Sequence, residues 1–400
     1  MRRYNIPVWL VGAPKPRAAT FVTLFTLESV NRALLTTLIP LQAHAILGDA
    51  RAVSVGYFAV SVIGLIASLG IPSVVHALRR RWVYSAGLMT YVAACACFSI
   101  DSVLTLIIGL TLQVIAAACT EVTLNLYLLD HIPRRELKRF EPTRLLYAGI
   151  VFTAGPWLGV YLAQNVGHEA TFVLVAASAM FALAVFWYLR LTDNPAIAQP
   201  LKPMPNPLRS LPRFFSQKRL VLAWVLAIGR NGWWMMFFVY TPIYVTENGF
   251  PPEWGGAAVS LGLAPLLAVT LWGNLAERKG IRFILAIGYG AAGIATLLAA
   301  AFMHGPLADP LIGLGLLVVA AGIATIIDAA GNVPFLRAVH PYERAEMTSV
   351  FMTFRHVNSL LTPGLFALLL SFFPLVVVFV SGGISFLCMT VLSRFLHPRL

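Results

Sequence analysis

Roughly a dozen stretches of about twenty apolar residues follow one another along this chain, each long enough to cross a hydrocarbon core of about 30 Å. Lipid offers a backbone no hydrogen-bond partners, so a crossing segment must satisfy its own N–H and C=O groups. Uninterrupted apolar runs of this length predict helices. The expected fold is an all-α integral membrane protein with twelve transmembrane helices in two six-helix bundles. Composition agrees: 59% of residues are hydrophobic and 11% charged, against roughly 25% charged in a soluble domain. The pattern places spans near 20–47, 53–75, 83–100, 103–130, 145–166, 170–190, 219–246, 254–275, 283–303, 310–336, 347–371 and 374–393.

The formal net charge of +13 would suit a nucleic-acid binder, but its distribution points elsewhere. With twelve spans, both termini share a side with the even-to-odd loops, and 25 of the 29 Lys and Arg residues fall there. Arg32, Arg230 and Arg355 lie inside spans, which leaves Arg51 alone on the opposite side. Basic loops are retained in the cytoplasm. We therefore expect a multi-pass protein of the cell inner membrane with both termini cytoplasmic and no nucleic-acid partner. Met1–Phe21 carries Pro7, Pro14 and Pro16 and no sustained apolar core, so no cleavable signal peptide is expected. Cys95, Cys97, Cys119 and Cys388 all fall in spans and read as small packing residues, with neither disulfide nor metal expected.

The proline-rich, basic stretch 191–217 divides the chain into a bundle at 1–190, a cytoplasmic linker and a bundle at 218–400. A weak echo links the halves. Shifting by 207 lays Glu121 on Asp328, Asn125 on Asn332 and Pro156 on Pro363, and shifting by 201 lays the loop 76–82 on 277–283. Transporters build midplane sites between such related halves.

Charges inside the spans carry the functional signal, because an ionisable side chain at bilayer depth costs several kcal/mol unless it faces a partner or a water-filled path. Glu28 and Arg32 are four apart on span 1, acid first, which is the favourable orientation on a helix face. Glu121 with Asn125 and Asp328 with Asn332 repeat an acid-x-x-x-Asn pattern on spans 4 and 10, placing each pair on one face. Arg230 lies on span 7, followed by Trp233 and Trp234, and Arg355 on span 11. Glu28, Glu121 and Asp328 are the candidate proton carriers. Arg32, Arg230, Asn125, Asn332, Trp233, Trp234 and Arg355 are the candidate substrate contacts. The plainer alternatives are self-neutralising ion pairs and an interhelical hydrogen-bond network. His44 and His356 read as helix-end or packed residues.

Three segments resemble the major facilitator superfamily. Gly273, Glu277, Arg278, Gly280 and Arg282 are similar to its Gly-x-x-x-Asp-Arg-x-Gly-Arg loop signature, with Glu277 for Asp and Ile281 for an Arg. Gly155, Pro156 and Gly159 resemble its Gly-Pro-x-x-Gly antiporter motif, and 341–347 is similar to its loop between spans 10 and 11. Two positions depart from the pattern. His76 stands where the first-half loop motif has an acid, and Leu110 where many drug/proton antiporters have an arginine three residues before Gln113. The resemblance implies that spans 1, 4, 7 and 10, which hold Glu28, Arg32, Glu121, Arg230 and Asp328, line a central cavity. It implies gating by the loop and antiporter motifs. In organophosphate antiporters of the superfamily, arginines on spans 1 and 7 hold phosphate, which would give Arg32 and Arg230 an anionic cargo.

No nucleotide-binding Gly-x-x-x-x-Gly-Lys-Ser/Thr loop occurs, so ATP-driven pumping is not expected, and with no stretch for a soluble domain neither an enzyme nor a cofactor is expected. The expected function is alternating-access secondary transport by a monomer, with protons, a small molecule and the bilayer as partners. Proton-coupled efflux of an amphipathic compound is the first reading. Uptake or exchange of an anionic or chelated nutrient through Arg32 and Arg230 is the second. A non-transporting membrane receptor or assembly factor is the third.

Overall fold

The computed structural model describes residues 18–78, 80–131, 134–188, 207–268, 271–272, 278–304, 308–340 and 342–396. The described residues are helical apart from turns and short connections. In chain order the first-half helices are α1 (Ala18–Leu47), α2 (Ala50–Ala77), α3 (Arg80–Phe98), α4 (Val103–His131), α5 (Arg134–Asn165) and α6 (Ala170–Tyr188). After a short helix α7 (Pro207–Ser216) come α8 (Lys218–Glu247), α9 (Pro252–Leu263) with a 3-10 turn (Ala264–Ala268), and α10 (Ile281–Met303). The chain closes with α11 (Pro310–Ala330), α12 (Val333–Ala338), α13 (Arg344–Phe351), α14 (Phe354–Leu369) and α15 (Val376–Ser393).

Among the described residues, eight helical stretches are long and apolar enough to cross a membrane. The other four expected spans fall on α1, α3, α9 with its 3-10 turn, and the α13–α14 pair. Each differs from a simple apolar rod: α1 carries Glu28 and Arg32, α3 starts on Arg80 and Arg81, and α9 turns 3-10 after Leu263. The α13–α14 pair is interrupted at Met352 and Thr353.

Contacts divide the chain into two compact units, one from 1–32, 64–151 and 169–199, the other from 33–63, 152–168 and 200–400. The first unit is built on a core of Phe21, Leu24 and Phe25 from α1, Tyr84, Leu88 and Tyr91 from α3, Leu124 and Tyr127 from α4, and Phe186 from α6. Gly87 permits a close approach within it. A Cβ there would lie 2.9 Å from Cys119 Cβ and 3.1 Å from Thr120 Cγ2, so α3 and α4 pack at backbone distance, as small residues allow between membrane helices.

In the second unit, Gly155 and Gly159 of α5 lie against Ala33 and Leu34 of α1 so closely that any side chain at 159 would overlap the Leu34 carbonyl. Across α5, a Cβ on Gly256 of α9 would meet the Pro156 carbonyl at 2.8 Å, and the Trp157 N–H donates to Ser260 Oγ at 3.0 Å. The sequence places a loop throughout 191–217, but residues 207–216 form α7. Phe214 explains this: it is fully buried among Leu220, Phe335, Val339, Met347 and Phe351. Gln217 Nε2 donates to Glu343 at 3.0 Å, and Arg213 Nη2 donates to its other oxygen. These donors hold the Glu343 carboxyl below the usual carboxylate range.

Candidate functional site

The first unit gathers three embedded charges at one level. Glu28 is one turn before Arg32 on α1, and Glu121 comes from α4. Arg32 Nη1 lies 3.7 Å from Glu28 Oε1 and 3.6 Å from Glu121 Oε2, which puts the arginine between the two acids. Thr120 Oγ1 faces Glu28 Oε1 at 3.4 Å while also donating to the Ala116 carbonyl at 2.9 Å. The acids differ in setting. Glu28 is 5% exposed, whereas the side chains of Arg32 and Glu121 are 45% and 34% exposed. Asn125 follows one turn after Glu121 on the continuous helix α4 and is half-buried. Arg144 of α5 lies 4.8 Å over the Phe25 ring.

The second unit builds a tighter cluster. Arg230 Nε is 3.5 Å from Asp328 Oδ1, and Arg230 Nη2 donates to Asn332 Oδ1 at 3.3 Å. Trp234, one turn after Arg230 on α8, donates its indole N–H to Asp328 Oδ2 at 2.9 Å. The Arg230 side chain is only 12% exposed. Tyr289 of α10 donates to the Leu226 carbonyl at 2.8 Å. A cavity of about 10 Å³, bordered by Arg230, Tyr289, Gly331, Asn332, Phe335 and Phe351, has room for about one water.

The helix carrying Asp328 stops there. α11 ends at Ala330, Gly331 takes φ 50° and ψ −125°, and α12 restarts after Asn332 with Pro334 in its first turn. Pro334 has no N–H to offer the Ala330 carbonyl, and the positive φ at 331 suits glycine. Asn332 therefore does not share a helix face with Asp328, as the four-residue spacing suggests. Arg230 reunites them by using two different nitrogens. The guanidinium also lies at the C-terminal, partially negative end of α11, where a cation is favoured.

The remaining candidates are distributed as follows. Trp233 is 1% exposed, stacked on Phe237 and Phe386, with its N–H on Thr296 Oγ1 at 3.1 Å. Trp234 is buried as well, but its N–H faces Asp328. Arg355 is exposed on the first turn of α14, and His356 beside it is half-buried. His44 Nε2 is 3.9 Å from Glu247 Oε1. Gly273 and Glu277 lie outside the described residues, as does the side chain of His76. Arg278 is exposed, and Gly280 (φ 87°) is the N-cap of α10. All four cysteines are free. Thr120, Tyr91 and Tyr289 join the clusters without having been singled out in the sequence. A hydroxyl in an apolar span was the available signal, diluted by many others used for packing.

A family model of the Major Facilitator Superfamily matches residues 21–323. The chain belongs to the major facilitator superfamily. Its fold is that of solved superfamily transporters. A peptide transporter POT in complex with sulfate superposes with TM-score 0.74 at 12% identity, covering 97% of each chain. A POT family transporter in complex with 5-aminolevulinic acid gives 0.75 at 10% identity, covering 94% of each. The nucleoside transporter NupG gives 0.70 at 17%, covering 94% of this chain and 98% of that one. No curated protein matches the sequence. Membership makes the chain a multi-pass, non-enzymatic membrane transporter of this superfamily that carries a small molecule across a bilayer.

Proposed function

We propose that the chain is a secondary active transporter that works by alternating access and couples proton movement to its cargo through the embedded carboxylates. The observation that carries this reading is the pair of arginine–carboxylate clusters, Glu28–Arg32–Glu121 and Arg230–Asp328–Asn332, set in apolar helices. Such residues mark ion and substrate pathways. A helix interrupted beside one of them, as α11 is at Gly331, is a recurrent way of exposing binding groups at bilayer depth. Protonating an acid would release its arginine, and a released arginine can engage cargo. The Gly155–Pro156–Gly159 segment favours efflux of an amphipathic compound as the direction. The basic loops favour cytoplasmic termini in a cell inner membrane, with the two bundles divided at 191–217. The monomer is taken as the working unit.

The test is purified protein in proteoliposomes holding a pH-sensitive dye, challenged in turn with amphipathic cations, organic anions and sugars. Proton movement is expected when a transported compound is added, and should be lost in Glu28→Gln. Cargo movement indifferent to an imposed pH gradient would remove the coupling. A second reading, uptake of an anionic compound, draws support from Arg32, whose side chain is 45% exposed. Hits confined to anions, moving inward, would favour it.

A further inference from the structure

The first-half core contains a tyrosine that the charge clusters do not account for. Tyr91 of α3 is fully buried in the same core as Leu24 and Phe25 of α1 and Leu124 of α4. Its hydroxyl has no hydrogen-bond partner among the described residues. Buried hydroxyls are nearly always bonded, and an unmade bond costs about 1–3 kcal/mol, so such a group calls for a reason. The hydroxyl is not in neutral surroundings. Arg32 and Glu28 of α1, Glu121 of α4 and Cys95 on its own helix all lie within electrostatic reach.

The second half shows what a satisfied version looks like. A single shift of 198 residues carries Arg32 onto Arg230, Tyr91 onto Tyr289 and Glu28 onto Leu226. Tyr289 is likewise buried, with Arg230 and Asp328 within electrostatic reach. Each half therefore holds an arginine, a tyrosine and an acid together: Arg32, Tyr91 and Glu121 in one, Arg230, Tyr289 and Asp328 in the other. The tyrosines end differently. Tyr289 gives its proton to the carbonyl of residue 226 at 2.8 Å. Tyr91 makes no such bond, and the residue at the position equivalent to 226 is Glu28, which brings a carboxylate of its own.

We propose that Tyr91 is a positioning residue for Glu28, holding its hydroxyl ready to donate to the ionised carboxylate when Arg32 turns to Glu121 or to cargo. This rests on the proton-coupling reading of Glu28. The other groups facing that carboxylate are Arg32, Glu121, Thr120, Arg144 and Tyr84. Of these, Thr120 already spends its proton on α4 carbonyls. No proton leaves Tyr91. A shift of the Glu28 side chain as Arg32 leaves it brings the carboxylate to the Tyr91 hydroxyl, and the hydrogen bond replaces the stabilisation Arg32 withdraws.

The test needs no cargo, because the proton itself is the probe. Full-length purified protein is titrated by infrared difference spectroscopy, following the carboxyl C=O band that disappears in Glu28→Gln. In Tyr91→Phe the midpoint of that band should rise by about one pH unit, a tenfold change in proton affinity. In Tyr289→Phe it should stay at the wild-type value. Melting temperatures should run the other way, with Tyr91→Phe as stable as wild type or more so and Tyr289→Phe less stable. Equal midpoints in wild type and Tyr91→Phe would overturn the proposal while leaving proton coupling intact, and so would a Tyr91→Phe melting loss matching that of Tyr289→Phe. A wild-type spectrum with no titrating band assignable to Glu28 would overturn both the coupling through Glu28 and the role of Tyr91.

Discussion

The two arginine–acid clusters use similar residues and achieve different degrees of constraint. Around Arg230, donors and acceptors are matched: Trp234 donates to Asp328 at 2.9 Å, Asn332 accepts at 3.3 Å, and the guanidinium is 12% exposed. Around Arg32, one nitrogen lies between two acids at 3.6 and 3.7 Å, and the side chain is 45% exposed. A shielded side chain keeps one geometry, whereas a half-exposed one exchanges its contacts more easily. The difference teaches that Arg32 is the more accessible of the two arginines and Arg230 the more enclosed.

The strongest way to break this contrast is to remove each arginine. Arg230→Ala strands Asp328, and breaking a buried pair costs about 3–5 kcal/mol. Melting in detergent should drop sharply, and Arg230→Ala with Asp328→Ala should recover most of the loss. Arg32→Ala also takes a cation from the buried Glu28, but Arg32 and Glu121 are more accessible, so the loss should be smaller. Equal losses would refute the contrast.

Next comes the indole. Trp234→Phe keeps the ring and deletes the N–H on Asp328, a hydrogen bond to a charged group worth about 1.5–3 kcal/mol. Denaturation of this variant beside Trp233→Phe, which loses only a neutral bond to Thr296, should show the larger loss at 234.

Lysine substitutions sharpen the same point. Arg230 reaches Asp328 through Nε and Asn332 through Nη2, and one ammonium cannot replace that fork. Arg32 is the more exposed, with Nη1 at 3.6 and 3.7 Å from its acids. Arg230→Lys should therefore weaken transport or ligand-induced stabilisation about tenfold, roughly 1.4 kcal/mol, while Arg32→Lys should stay near wild type.

The smallest effect lies at a third carboxylate, outside the membrane-spanning segments. Gln217 and Arg213 hold the Glu343 carboxyl low, so the bond between α7 and the α12–α13 turn is at full strength above the ordinary glutamate value of about 4.3. It should fade as pH falls through the lower, folded value. Hydrogen exchange over 207–216 should rise a few-fold on acidification in wild type and be insensitive to pH in Glu343→Gln.

Much of the fold is legible in the sequence, because a lipid environment permits so few alternatives. Apolar runs give the helices, and every embedded charge at 28, 32, 121, 230 and 328 falls in one of the two clusters. What stays hidden depends on tertiary contact. The end of α11 at Gly331 is masked by apolar neighbours, and Pro334 is equally compatible with a kinked continuous helix. α7 exists because Phe214 finds a pocket, which composition alone cannot reveal. Trp233 and Trp234 are indistinguishable as letters, yet one is enclosed in packing and the other bonds an acid. Tyr91 and Tyr289 read as two more aromatics until their surroundings are seen.

The bonding of Arg230 also governs how this family line can change over generations. Asp328 and Asn332 share one partner, so the three positions cannot drift independently. A lineage that loses Arg230 first inherits a carboxylate with only Trp234 to face it. A lineage that loses Asp328 first keeps a cation that still has Asn332 and the partially negative end of α11. Either order leaves a charge without its ion partner, so descendants should keep the arginine and the acid together or lose both.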